Sequence, residues 1–163
     1  IFRKNTIVSL AATDVQEIIP LAEILEKSEG AILVLLRLKD ASGRNISSNT
    51  YWISQNGDYR ELNKMPSADL AVTVVNSVRL KATREWTLRI TNPSDKLAFF
   101  IRPQLMMNGE EVLPSFWSGN YFTLAPSETV TVKVSCPEEK ISKGIPSLRI
   151  SGWNVGPQVI NLK

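Results

Sequence analysis

Five residues could do chemistry together. Trp117 and Tyr121 flank a Ser118-Gly119-Asn120 loop signal, and Trp153 immediately precedes Asn154. Aromatic rings stack well on the apolar faces of sugars, and asparagine carboxamides can hydrogen-bond hydroxyls. Trp117, Asn120, Tyr121, Trp153 and Asn154 are therefore candidate carbohydrate contacts. A structural reading competes at each position, because tryptophans also fill cores and loop asparagines satisfy their own turns. Trp86 falls on the structural side, since it alternates with Leu88 and Ile90 along residues 84–91. Trp52, after Tyr51 at the end of an expected strand, suits packing between domains.

Carboxylates could supply general acid–base chemistry. Glu110 and Glu111 are adjacent and beside a turn, and neighbours on an extended chain point to opposite faces. They read as solvated turn charges, as do Glu138 and Glu139. The chain has no histidine, which removes Ser-His-Asp and Cys-His nucleophile systems and nearly all catalytic zinc sites. The single cysteine, Cys136, follows Val130, Val132 and Val134 in alternation and reads as a small apolar core residue. Phosphate-binding glycine loops, metal-ligand clusters and calcium-loop patterns are missing from the sequence. No catalytic residue, metal site or cofactor is expected.

Partners are bounded in the same way. The net charge of +3 comes from lysines and arginines scattered along the chain, which argues against a nucleic-acid footprint. The longest apolar run, residues 31–36, is far too short to span a bilayer, and the start lacks the pattern of a signal peptide. The chain opens at Ile1 without a methionine and is read as part of something longer.

The elements that must position these residues read as strands. Residues 97–131 hold an apolar run to Met107, a turn signal at Asn108-Gly109, a second run over 112–117, and a short strand at 121–124. Ala125-Pro126-Ser127-Glu128 turns the chain into an alternating strand over 129–136. Further strands are expected at 70–77, 84–91, 147–153 and 159–162, about seven at the usual spacing. Nearer the start, 31–39 reads as a central strand and 48–54 returns from a hairpin at 40–44. Residues 6–10 read as a short strand. Residues 14–27 suit a helical stripe, with Thr13 and Gln16 resembling a capping box, but Pro20 sits inside it and favours an extended segment. A turn is expected at Ser28-Glu29-Gly30, and residues 55–69 lose periodicity, which marks the domain boundary. The fold class is all-β: an immunoglobulin-like antiparallel sandwich over 63–163, preceded by part of a second one over 1–62.

Three segments carry a resemblance: LRLKDASGRNISSNTYW (36–52), LPSFWSGNYFTLAPSETVTV (113–132) and LRISGWNV (148–155). They resemble the C-terminal immunoglobulin-like region of glycoside hydrolase family 2 enzymes, of the exo-β-D-glucosaminidase, β-mannosidase and endo-β-mannosidase type. The matching residues are Asn49, Tyr51 and Trp52, then Ser118, Asn120 and Tyr121, then Gly152, Trp153 and Asn154. Gly119 stands where the family often has aspartate, which puts any role of that carboxylate in doubt here.

The resemblance implies a non-catalytic accessory region whose partner is an upstream catalytic barrel, in an exported enzyme, with oligosaccharide as a further candidate partner. A glycosidase needs two carboxylates about 5–9 Å apart across a sugar, and the resemblance places that pair in the barrel. It also implies that residues 1–62 are the back half of a sandwich with one strand face uncovered. That face would pack on the last domain or pair two copies, unless the boundary lies elsewhere. The competing functional readings are an independent carbohydrate-binding module and an adhesion or spacer domain.

Overall fold

The computed structural model describes residues 3–28, 30–54 and 56–162. Residues 3–20 form no regular element. The short strand expected at 6–10 is absent, and residues 14–27 hold a six-residue helix, α1 (Leu21–Glu26), where extended chain was expected. Pro20 explains the correction. It sits at the N-cap, where its missing N–H costs nothing, so it starts the helix it was expected to break. The turn proposed at 28–30 includes Glu29, which lies outside the described residues; Gly30 has a φ of 75°.

β1 (Ala31–Lys39) and β2 (Asn45–Ser54) form an antiparallel hairpin with Leu33 opposite Trp52 and Arg37 opposite Ser48. β1 is not a central strand, as its apolar run suggested, but half of a two-stranded sheet. Its apolar residues alternate between a side facing the rest of the molecule and an outer side, where Leu36, Leu38 and Tyr51 stay exposed. A 3-10 turn, Arg60–Lys64, buries only Leu62 and leads on.

Two sheets follow. One has the order β3 (Ala71–Leu80), β4 (Thr83–Thr91), β9 (Thr129–Pro137), β7 (Phe116–Trp117). The other has the order β11 (Gln158–Asn161), β10 (Ser147–Ser151), β5 (Ala98–Met107), β6 (Glu110–Glu111), with β8 (Phe122–Leu124) also pairing β5. All pairings are antiparallel. Alternation decides what lies between the sheets: Trp86, Leu88 and Ile90 from β4, Val132, Val134 and Cys136 from β9, Ile101 and Leu105 from β5, and Leu148 and Ile150 from β10. The core cluster runs from Ala68 to Leu162. Asn108 and Gly109 take φ of 52° and 86°, the paired left-handed geometry of a two-residue hairpin, and set Met107 opposite Glu110. The second apolar run is mostly loop: only Phe116–Trp117 pairs as a strand, while Leu113 and Phe116 are exposed.

Candidate functional site

The three separated motifs meet at Phe99-Phe100. Two consecutive bulky aromatics cannot both face inward on a regular strand, and β5 answers with a register irregularity between Ala98 and Ile101. Phe99 is buried; Phe100 takes a left-handed φ of 54° and lies part-exposed. Such a backbone is costly for a side chain without a short polar group and persists only where its surroundings hold it. Here rings hold it. Trp52 from the hairpin meets Phe99 and Phe100 edge-on, with centroids at 5.7 and 5.9 Å. Tyr121, itself at φ 53°, packs on Phe100 at 4.9 Å.

The third motif clamps Phe99 from its backbone side. The Trp153 N–H donates to the Phe99 carbonyl at 2.8 Å, and Asn154 Oδ1 accepts the Phe99 N–H at 2.8 Å. Asn154 Nδ2 donates to the carbonyls of Leu97 and Pro66, both within 2.8 Å. Trp153 Nε1 donates to the Leu62 carbonyl at 2.9 Å, so the indole is pinned to the 3-10 turn that follows the hairpin. Gly152 is required by close approach: a Cβ there would sit 2.9 Å from the Phe99 carbonyl oxygen. A shallow hollow of about 330 Å³ beside Trp153 is lined by Leu62, Asn63, Met65, Trp153 and Asn154.

The five candidate residues thus separate. Trp153 and Tyr121 expose 53% and 48% of their surface and can still offer ring area to a ligand. Asn154 has its whole carboxamide engaged in holding the chain. Trp117 packs against the core and donates from Nε1 to Ser115 Oγ. Asn120 is exposed, and its Oδ1 accepts only the N–H of Tyr121 among the described contacts. Ser118 continues the β9 pairing, its N–H donating to the Lys133 carbonyl and its Oγ accepting the Lys133 N–H.

Sequence reasoning missed a second junction. Arg37 on β1 grips Glu128, with Nε to Oε1 at 2.7 Å and Nη2 to Oε2 at 3.1 Å, and Nη2 also reaches the Thr123 carbonyl. Burial opposes ionisation of Glu128, but hydrogen bonds from Arg37 and the Ala125 N–H, with the charges of Arg37 and Lys39, hold its carboxyl below the usual glutamate range. Asn92 organises the same loop from inside. It is fully buried, donates from Nδ2 to the carbonyls of Lys96, Leu124 and Ala125, and accepts from Ser94.

Two of the paired glutamates have cationic neighbours. Glu111 is not a free turn charge as expected: Arg102 and Gln104 both donate to its Oε2, at 2.9 and 2.8 Å. Glu138 lies beside Arg79 at 3.7 Å. Burial, with the nearby Glu138 charge, pushes the Cys136 thiol up, away from the reactive thiolate.

Known proteins are similar to this chain in sequence and fold. The family model described as the exo-beta-D-glucosaminidase Ig-fold domain matches residues 49–155. The exo-beta-D-glucosaminidase of Arthroderma benhamiae is 29% identical over 157 residues, covering 83% of this chain and 17% of that protein. The exo-beta-D-glucosaminidase of Amycolatopsis orientalis is 28% identical, covering 76% of this chain and 14% of that protein. The crystal structure of the Amycolatopsis orientalis exo-chitosanase superposes with a TM-score of 0.75 at 28% identity, over 83% of this chain and 19% of that one. The chain therefore spans less than a fifth of the length of these relatives.

Proposed function

The chain belongs to the exo-beta-D-glucosaminidase Ig-fold domain family, and from that premise we propose that it is a non-catalytic accessory sandwich of a larger glycoside hydrolase. The parent reads as an exo-β-D-glucosaminidase of glycoside hydrolase family 2, in preference to a β-mannosidase, because the relatives matched here carry the former name. Its work is to support the catalytic barrel, the partner that the motif resemblance implies, and to shape one rim of the cleft.

One observation carries this reading. Three of the five candidate sugar contacts, Tyr121, Trp153 and Asn154, are engaged together with Trp52 in joining the hairpin, the segment that follows it and the sandwich around Phe99-Phe100. That is the chemistry of a structural junction. In the full enzyme, Trp52→Ala is expected to lower the thermal midpoint while leaving kcat/KM on a glucosaminide within about two-fold. The isolated chain is expected to release nothing from the same substrate. Hydrolysis by the isolated chain would overturn the non-catalytic assignment.

A second reading, independent carbohydrate binding, is favoured by the half-exposed rings of Tyr121 and Trp153. Titration with chitosan-derived oligosaccharides, followed by tryptophan fluorescence, separates the two. A saturable shift lost in Trp153→Phe and Tyr121→Ala supports binding; a flat trace from folded protein supports the junction alone.

A further inference from the structure

We propose that Asn45, at the base of the β1–β2 turn, is an acceptor for an N-linked glycan when the chain passes through a eukaryotic secretory lumen. Asn45-Ile46-Ser47 has the acceptor pattern of asparagine, a non-proline residue and serine. All three residues are exposed, Ile46 at 60%. The position follows directly on the turn that Asp40 organises, its Oδ1 accepting the N–H groups of Ser42 and Arg44.

The side chain is compatible with the modification. With its amide oriented to donate, Asn45 Nδ2 reaches the carbonyls of Ser47 at 3.0 Å and Leu38 at 3.1 Å. In the transfer, that nitrogen bonds to the anomeric carbon of an oligosaccharide carried on a lipid diphosphate. The bond from the anomeric carbon to the phosphate oxygen breaks, the lipid diphosphate leaves with the electron pair, and the amide gives up one proton. One N–H remains, enough to keep one of the two hydrogen bonds, while the other carbonyl turns to water.

The chain contains its own contrast. Asn92-Pro93-Ser94 has proline in the middle position, and Asn92 is fully buried with its amide on three carbonyls, so it takes no glycan. A glycan on Asn45 also stands clear of the junction at Phe99-Phe100. Seven strand positions separate it from Trp52, about 23 Å at the usual rise per residue. It would cover exposed Leu38, which pairs Ser47 on the same face of the hairpin, where a bare two-stranded sheet invites pairing with another chain.

The test is to produce the 163-residue chain behind a secretion leader in a eukaryotic cell. Treatment with an amidase specific for asparagine-linked glycans is expected to raise its gel mobility and leave aspartate at position 45. Asn45→Gln and Ser47→Ala, both at exposed positions, should each abolish the mobility shift. Removing the glycan from the folded chain should move the melting midpoint by less than about 3 °C. Secreted chain with unmodified Asn45, a shift that survives Asn45→Gln, or loss of the folding transition in the glycosylated form would overturn the proposal.

Discussion

Asn154 and Asn120 are the same residue type in similar loops, and the structure gives them opposite weights. Asn154 ties Phe99, Leu97 and Pro66 together from one carboxamide. Removing it leaves backbone groups at the junction without partners, so Asn154→Ala should cost about 2–3 kcal/mol in urea unfolding. Asn120, exposed and hydrogen-bonded only to the next residue's N–H among the described contacts, should cost less than about 0.5 kcal/mol when changed to alanine. Equal losses at the two positions would contradict this division. Gly152 gives a second residue-scale expectation. Its added Cβ in Gly152→Ala would press on the Phe99 carbonyl oxygen and the Val155 side chain, so β5 or the 152–155 loop must shift. A loss of about 1–3 kcal/mol is expected, read by the same unfolding curve.

At the scale of elements, the hairpin is the weakly held part. A lone two-stranded sheet is marginal in water, and β1–β2 is held to the sandwich through Trp52 on Phe99 and Phe100 and through Arg37 on Glu128. Both contacts come from the same face, because Leu33 pairs Trp52 and Arg37 lies four positions further along β1. Glu128 makes this docking pH-dependent. Its folded carboxyl titrates below its unfolded value, so the stabilisation is fully present above the unfolded value, about 4.3, and is lost as pH falls through the folded one. Susceptibility of β1–β2 to an acid-active protease should therefore rise below about pH 4. Glu128→Gln should remove that dependence and raise susceptibility at neutral pH; an unchanged acid profile in the variant would assign the effect to other carboxylates. The helix α1 illustrates a limit of pattern reading at this scale. Its apolar stripe was visible, yet no residue of it is buried among the described residues, and Pro20 set only where it begins.

For the whole molecule, the continuous core from Ala68 to Leu162 predicts that the sandwich stands without the hairpin. Deleting residues 1–55 should leave a cooperative unfolding transition, weakened by about 1–3 kcal/mol for the lost ring contacts and ion pair. Loss of the transition altogether would mean that the hairpin is part of the core. The amino-acid sequence by itself determined the all-β class, the inward faces of β4 and β9, and the turn at Asn108-Gly109. Each of these is set by neighbours on the chain: a period of two places Trp86, Leu88 and Ile90 together, and a turn needs only residues that tolerate a left-handed backbone. The sequence also marked Trp153 and Asn154, and the motifs around them, without saying what they touch. That was decided by tertiary structure alone. Asn154 meets its partners 55 and 88 positions away, Trp52 reaches Phe99 across 47, and Arg37 finds Glu128 across 91. Local propensity carries no signal over such separations. Only the packing of the two sheets on one core and the docking of the separate hairpin against them bring these groups within reach.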